Sequence, residues 1–149
     1  DGTPAPAAPR PRRVPLRSVR SGTILAVEDD PAIGEMLARV LERAGHAVEV
    51  VASAADARAR LGWASPDLVL LDLCLDAAGS AEDGLGLLEA INARTAPPPV
   101  VVVSAETDPD VLLACADAGA AGFLPKPVDV VILRIVVENE LRRAGGSRR

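Results

Sequence analysis

Past residue 22 the chain alternates short apolar runs with amphipathic stretches, five times over. The apolar runs are Thr23–Val27, Ala47–Val51, Leu68–Leu71, Val100–Ser104 and Gly122–Leu124, each bounded by polar or glycine-containing turns. Short runs dominated by Val, Leu and Ile suit parallel strands buried on both faces. Between and after them the spacing predicts helices over Pro31–Ala44, Ala54–Leu61, Gly84–Arg94, Pro109–Ala118 and Asp129–Arg143. In the first helix Ile33, Met36, Leu37, Val40 and Leu41 form one apolar stripe. Asp30 can cap it, Pro31 fits a first turn where a missing N–H costs nothing, and Gly45 supplies the stop. Ser53 with Asp56 reads as a capping box for the second helix. Strand–helix alternation of this kind implies an α/β domain with a parallel sheet and right-handed crossovers, and leaves strand order open.

A chain of 149 residues is long enough for one domain with a real core. Aromatics are only 1% of it, so Leu, Val, Ile and Ala must fill that core. No apolar stretch approaches bilayer-spanning length, and no signal-peptide pattern opens the chain. Cys74 and Cys115 make neither a disulfide framework nor a metal-ligand spacing, which fits a reducing, cytoplasmic setting. Residues 24–144 carry 20 acids against nine bases, a net of −11, which argues against nucleic-acid binding by the domain itself. Residues 1–22 carry five arginines among Pro and Ala without an apolar period, and read as a disordered linker or tail. The domain is expected over 23–144, with a disordered tail over 145–149. The non-Met start suggests a piece of a longer protein.

In open parallel sheets, sites form beyond the carboxyl ends of the strands. Four of the five predicted strands end in reactive chemistry: Glu28-Asp29-Asp30, Asp72, Ser104, and Lys126-Pro127. A strand-end acid is often only a helix cap, which is the simplest role for Asp30. Asp72 follows Leu68-Val69-Leu70-Leu71 at the core's edge, where an unpartnered carboxylate is costly. Clustered carboxylates need a neutralising cation, and few oxygen ligands suit Mg²⁺. Lys126 is the only lysine beside 15 arginines, and a compact ammonium pairs well with a carboxylate or a phosphoryl oxygen. Pro127 permits a cis peptide that would turn the lysine inward. Together these groups describe phosphoryl transfer to a carboxylate: Asp72 as nucleophile, Mg²⁺ as counter-charge, Lys126 and Ser104 receiving phosphoryl oxygens.

The stretches Ile24-Leu25-Ala26-Val27-Glu28-Asp29-Asp30-Pro31, Pro66-Asp67-Leu68-Val69-Leu70-Leu71-Asp72-Leu73, Ser104-Ala105 and Phe123-Leu124-Pro125-Lys126-Pro127 resemble the receiver domains of two-component response regulators. The resemblance spans about residues 23–143. It implies a flavodoxin-like, doubly wound, five-stranded parallel sheet of order 2-1-3-4-5. It further implies that Asp72 takes phosphate from a histidine kinase or histidine phosphotransfer protein in a phosphorelay. Asp29, Asp72 and the backbone carbonyl of Cys74 would ligate Mg²⁺ directly and Glu28 through water. Ser104 and Phe123 would be the switch residues, acting on a surface of the fourth helix, fifth strand and fifth helix that a downstream protein partner reads. The position of Glu106 often adjusts acyl-phosphate lifetime in this family. A free-standing regulator and the C-terminal receiver of a hybrid sensor histidine kinase both remain open. An aspartyl-phosphate phosphatase would want an acid where Cys74 stands, and a pseudo-receiver would not need a complete pocket.

Two departures stand out. The loop Asp76–Glu82 is about four residues longer than is common in the family, which surface loops tolerate. The last helix has seven apolar residues among Val130–Val137, more than one buried stripe requires, which suggests a docking face for a partner or a homodimer. His46 is expected in a turn or at the surface, Cys115 in the core, and Trp63 as a partly buried loop residue.

Overall fold

Among the described residues, five parallel strands and five helices alternate. The structure, a computed structural model, describes residues 2–4, 22–75 and 82–146. In order they form β1 (Thr23–Val27), α1 (Pro31–Arg43), β2 (Ala47–Val51), α2 (Ala54–Leu61), β3 (Leu68–Leu71), α3 (Glu82–Asn92), β4 (Val100–Ser104), α4 (Pro109–Asp117), β5 (Gly122–Pro125) and α5 (Val130–Gly146). The sheet order is β2-β1-β3-β4-β5, with every pairing parallel. This is the flavodoxin-like, doubly wound arrangement expected from the resemblance.

The unbroken apolar strands make sense once both faces are covered. Leu25, Val27, Val69, Leu71, Val100 and Val102 pack against Ala57 and Leu61 of α2, Leu87, Leu88 and Ile91 of α3, and Cys115 of α4. The alternate residues Ile24, Ala26, Leu68, Leu70, Val101 and Val103 pack against α1 and α5 through Leu37, Leu41, Leu133, Val137 and Leu141. Each buried Val or Leu contributes roughly 1.5–3 kcal/mol of transfer free energy. The helix ends carry the anticipated caps. Asp30 accepts from the N–H groups of Ala32 (2.9 Å) and Ile33 (3.4 Å), and Gly45 stands at φ 98° just beyond α1. Ser53 accepts the Asp56 N–H at 3.1 Å. Asp108 and Asp129 start α4 and α5 in the same way.

Some boundaries differ from expectation. α3 begins at Glu82 rather than Gly84; most of the long preceding loop, 76–81, lies outside the described residues. β5 includes Pro125, which an edge strand tolerates because no further strand asks for its missing N–H. α5 continues through Gly146. Glycine costs a helix only about 1 kcal/mol relative to Ala, so Gly145 and Gly146 need not end it. Trp63 is 71% exposed rather than partly buried, because its covering partner is the Arg60 guanidinium, 3.9 Å from the ring centroid, and not the core. His46 is 4% exposed, a correction to the surface placement, because the chain leading into β1 covers it. No helix among the described residues is long and apolar enough to cross a membrane.

Candidate functional site

The carboxyl ends of β1 and β3 are pinned side by side by backbone hydrogen bonds. Glu28 N–H donates to Val51 C=O (2.9 Å) and Asp72 N–H to Val27 C=O (3.0 Å), extending the ladder by one residue on each strand. This registration places carboxylate oxygens of Glu28, Asp29 and Asp72 within 4.8 Å of one another. Glu28 and Asp72 are buried, at 3% and 4% exposure, whereas Asp29 faces solvent. β5 then delivers Lys126 to the same point. Its N–H donates to Ser104 C=O (3.0 Å), and the Lys126–Pro127 peptide is cis.

The ammonium of Lys126 bridges the two buried acids, 2.8 Å from Glu28 Oε2 and 3.0 Å from Asp72 Oδ2. Each acid has a second tie. Glu28 Oε1 accepts the Asp30 N–H at 3.2 Å, and Asp72 Oδ1 accepts the Cys74 N–H at 3.1 Å. The contact of Lys126 with Glu28 Oε2 is close but badly angled, so this buried oxygen makes no hydrogen bond. Burial pushes the Glu28 carboxyl above its ordinary value, and the Asp72 charge adds to that push, against the opposing effect of Lys126. Burial alone would lower Lys126; its close pairing with the Glu28 and Asp72 carboxylates outweighs this and raises it. Three carboxylates against one ammonium, with one buried oxygen lacking a hydrogen bond, form a donor set that fits a hard divalent cation such as Mg²⁺.

Ser104 ends β4 and is fully buried; its Oγ accepts the Glu106 N–H at 3.2 Å. The Glu106 carboxylate turns away toward the start of α4, where Oε1 accepts from Thr107 (3.1 Å) and Asp108 (2.9 Å). Burial raises the Cys74 thiol, reinforced by the charges of Asp72 and Glu106 and opposed by Lys126 and the Ser104 hydroxyl, so Cys74 borders the cluster. Phe123, half-buried on β5, packs against the α2–α3–α4 side of the core.

All four predicted strand ends thus converge. One contributor escaped the sequence reading. Gly84, in the first turn of α3, lies so close to Leu73 that a Cβ there would be 2.4 Å from Leu73 Cα and 2.5 Å from its carbonyl oxygen. Its only sequence signal is the Asp83-Gly84 pair, which periodicity does not distinguish from an ordinary helix start.

The family model for the response regulator receiver domain matches residues 24–138. The chain belongs to the response regulator receiver domain family. It is similar to the nitrogen assimilation regulatory protein NtrX of Azorhizobium caulinodans, 33% identical over 118 residues that cover 79% of this chain and 26% of that protein. It is 36% identical to the sensory/regulatory protein RpfC of Xanthomonas campestris pv. campestris, over 74% of this chain and 15% of that one. Among solved structures, the signal receiver domain of a putative LuxO repressor protein from Vibrio parahaemolyticus superposes with a TM-score of 0.77 at 26% identity, covering 86% of this chain and 95% of that one. The receiver domain therefore spans about a quarter or less of the length of these two curated relatives.

Proposed function

We propose that Asp72 of this receiver domain accepts a phosphoryl group from a phosphohistidine, carried by a histidine kinase or a histidine phosphotransfer protein in the cytoplasm. A carboxylate oxygen of Asp72 attacks phosphorus, and the P–N bond breaks as the O–P bond forms. The imidazole leaves with the bonding pair and takes up a proton, and Asp72 becomes an acyl phosphate. Mg²⁺ held by Glu28, Asp29, Asp72 and the Cys74 carbonyl would supply positive charge against the carboxylates and the phosphoryl oxygens. Lys126 holds its ammonium against the acceptor carboxylate, and the Ser104 hydroxyl offers a donor to a phosphoryl oxygen. The added charge then reorients Ser104 and Phe123 and changes the α4–β5–α5 surface that a downstream partner reads.

The observation that carries this reading is the ion pair of Lys126 with Asp72 at 3.0 Å, inside a cluster of three carboxylates. Incubation with Mg²⁺ and acetyl phosphate is expected to add one phosphoryl group, read by intact mass, and Asp72→Asn is expected to abolish it. Equal labelling of Asp72→Asn sinks the assignment. The domain belongs either to a hybrid sensor histidine kinase or to a free-standing regulator. A kinase core encoded upstream of Asp1 decides between them.

A further inference from the structure

At the opposite end of the sheet from the carboxylates, the chain passes into β1 through a tight collar. Gly22 is buried, its C=O accepts the Ala47 N–H at 3.0 Å, and a Cβ at this position would lie 2.9 Å from Leu141 Cδ2. Next to it, Thr23 donates its N–H to Asp67 Oδ2 at 2.9 Å. The N–H of Gly22 itself goes to an imidazole: it donates to His46 Nδ1 at 3.2 Å. His46 is fixed in turn by its own N–H, which donates to Leu41 C=O at 3.1 Å. An Nδ1 that accepts carries no proton, so the ring is the neutral tautomer with its proton on Nε2. That Nε2 is buried and has no hydrogen-bond partner among the described residues.

We propose that His46 is an acid-released latch on the segment leading into β1: the neutral ring holds Gly22, and a proton on Nδ1 releases it. A protonated Nδ1 is a donor facing another donor, so the bond to Gly22 cannot survive. The new charge would also lie in a site built without a hydrogen bond for Nε2. Among the described residues, the charged groups acting on the ring are Glu138, which favours the cation, and Arg134, which opposes it, both on α5. α1, which precedes the turn, contributes no acting charge; β1 carries no charged residue, and beside it Asp67 is engaged with Thr23. Burial is the largest influence and holds the imidazole below its ordinary value. A folded state that binds the proton less readily than the unfolded chain keeps full stability above the ordinary histidine range of about 6.5 and loses it as pH falls. The latch therefore grips near neutral pH and opens in acid, changing how firmly Gly22 is tied to the domain. It is independent of the phosphoacceptor reading.

His46 is the only histidine, so its ring signals are unambiguous by NMR. Between about pH 7.5 and about pH 5, the Gly22 amide is expected to lose hydrogen-exchange protection several-fold, corrected for intrinsic rates, while core amides such as that of Leu70 stay protected. The Gly22 amide shift is expected to titrate in step with the ring. His46→Asn, whose side-chain oxygen can accept the same N–H without titrating, is expected to remove the pH dependence. Unchanged Gly22 protection in the wild-type chain, or a Gly22 shift that does not follow the ring, overturns the latch whether or not the variant folds. The same loss of protection in a folded His46→Asn protein overturns it as well.

Discussion

Gly84 lies against the backbone of Leu73 with no room for a side chain: a Cβ would meet Leu73 Cα at 2.4 Å and its carbonyl oxygen at 2.5 Å. The obstruction is main chain, so no rotamer change relieves it. Leu73 directly follows Asp72, and α3 therefore sets where the segment after the acceptor runs. Gly84→Ala is expected to destabilise the domain by about 1–3 kcal/mol or more, as overpacking does. It should also slow Mg²⁺-dependent labelling by acetyl phosphate, since the Cys74 N–H that fixes Asp72 Oδ1 would shift. Urea unfolding and labelling rates that both match the wild type would refute this coupling.

Among the described residues, Lys126 is the one cation ion-paired with the two buried acids. Lys126→Ala leaves Glu28 and Asp72 facing each other unneutralised, and the expected loss is about 3–5 kcal/mol in the absence of divalent cation. Added Mg²⁺ should recover part of it. Because pairing raises the folded-state pKa of the lysine above its ordinary 10.5, its contribution is present below that pH and fades as pH rises through the folded value. Chemical denaturation across the alkaline range, with and without Mg²⁺, checks both statements.

Glu28 is held above its ordinary value of 4.5, chiefly by burial. Its ionised form therefore weakens the metal-free fold increasingly as pH rises past that value. Glu28→Gln keeps the shape and removes the charge. Near pH 7 it is expected to raise metal-free stability by about 1 kcal/mol, while removing most of the stabilisation that Mg²⁺ gives. Thermal shifts in chelator and in Mg²⁺ separate the two effects, and a variant less stable in chelator contradicts the sign.

α5 holds a contrast between neighbours. Leu133 is fully buried, whereas Val131 and Ile135 are 63% and 52% exposed. Leu133→Ala should cost about 2–5 kcal/mol, whereas Val131→Ser and Ile135→Ser should each change stability by no more than roughly 0.5 kcal/mol. A large loss at either exposed position in a dilute monomer would mean that something covers this face.

The legibility of the chain varied with the physics behind each feature. Strand and helix positions followed from local periodicity, because a strand covered on both faces must be apolar throughout and a surface helix must carry a stripe. Helix starts were readable at Asp30 and Ser53, where one side chain satisfies backbone N–H groups within three residues. The site was readable as a set, since reactive residues beyond four strand ends must meet if the strands are parallel neighbours. Strand order was not readable from periodicity and came from family likeness.

Other features depend on contacts between residues far apart in the chain, which no local pattern encodes. His46 and Gly22 are 24 residues apart, Lys126 and Asp72 54. Periodicity gives each residue its face on its own element, but not what the neighbouring element presents. That is why Trp63 was expected to be partly buried, His46 to lie in a turn or at the surface, and Gly84 was given no packing role. The sequence alone determined which groups are available at the carboxyl ends of the strands. Only the tertiary structure decided which of them touch, because strand order and the backbone hydrogen-bond ladder set which carboxyl ends lie side by side, and that arrangement puts the Lys126 ammonium between two buried acids.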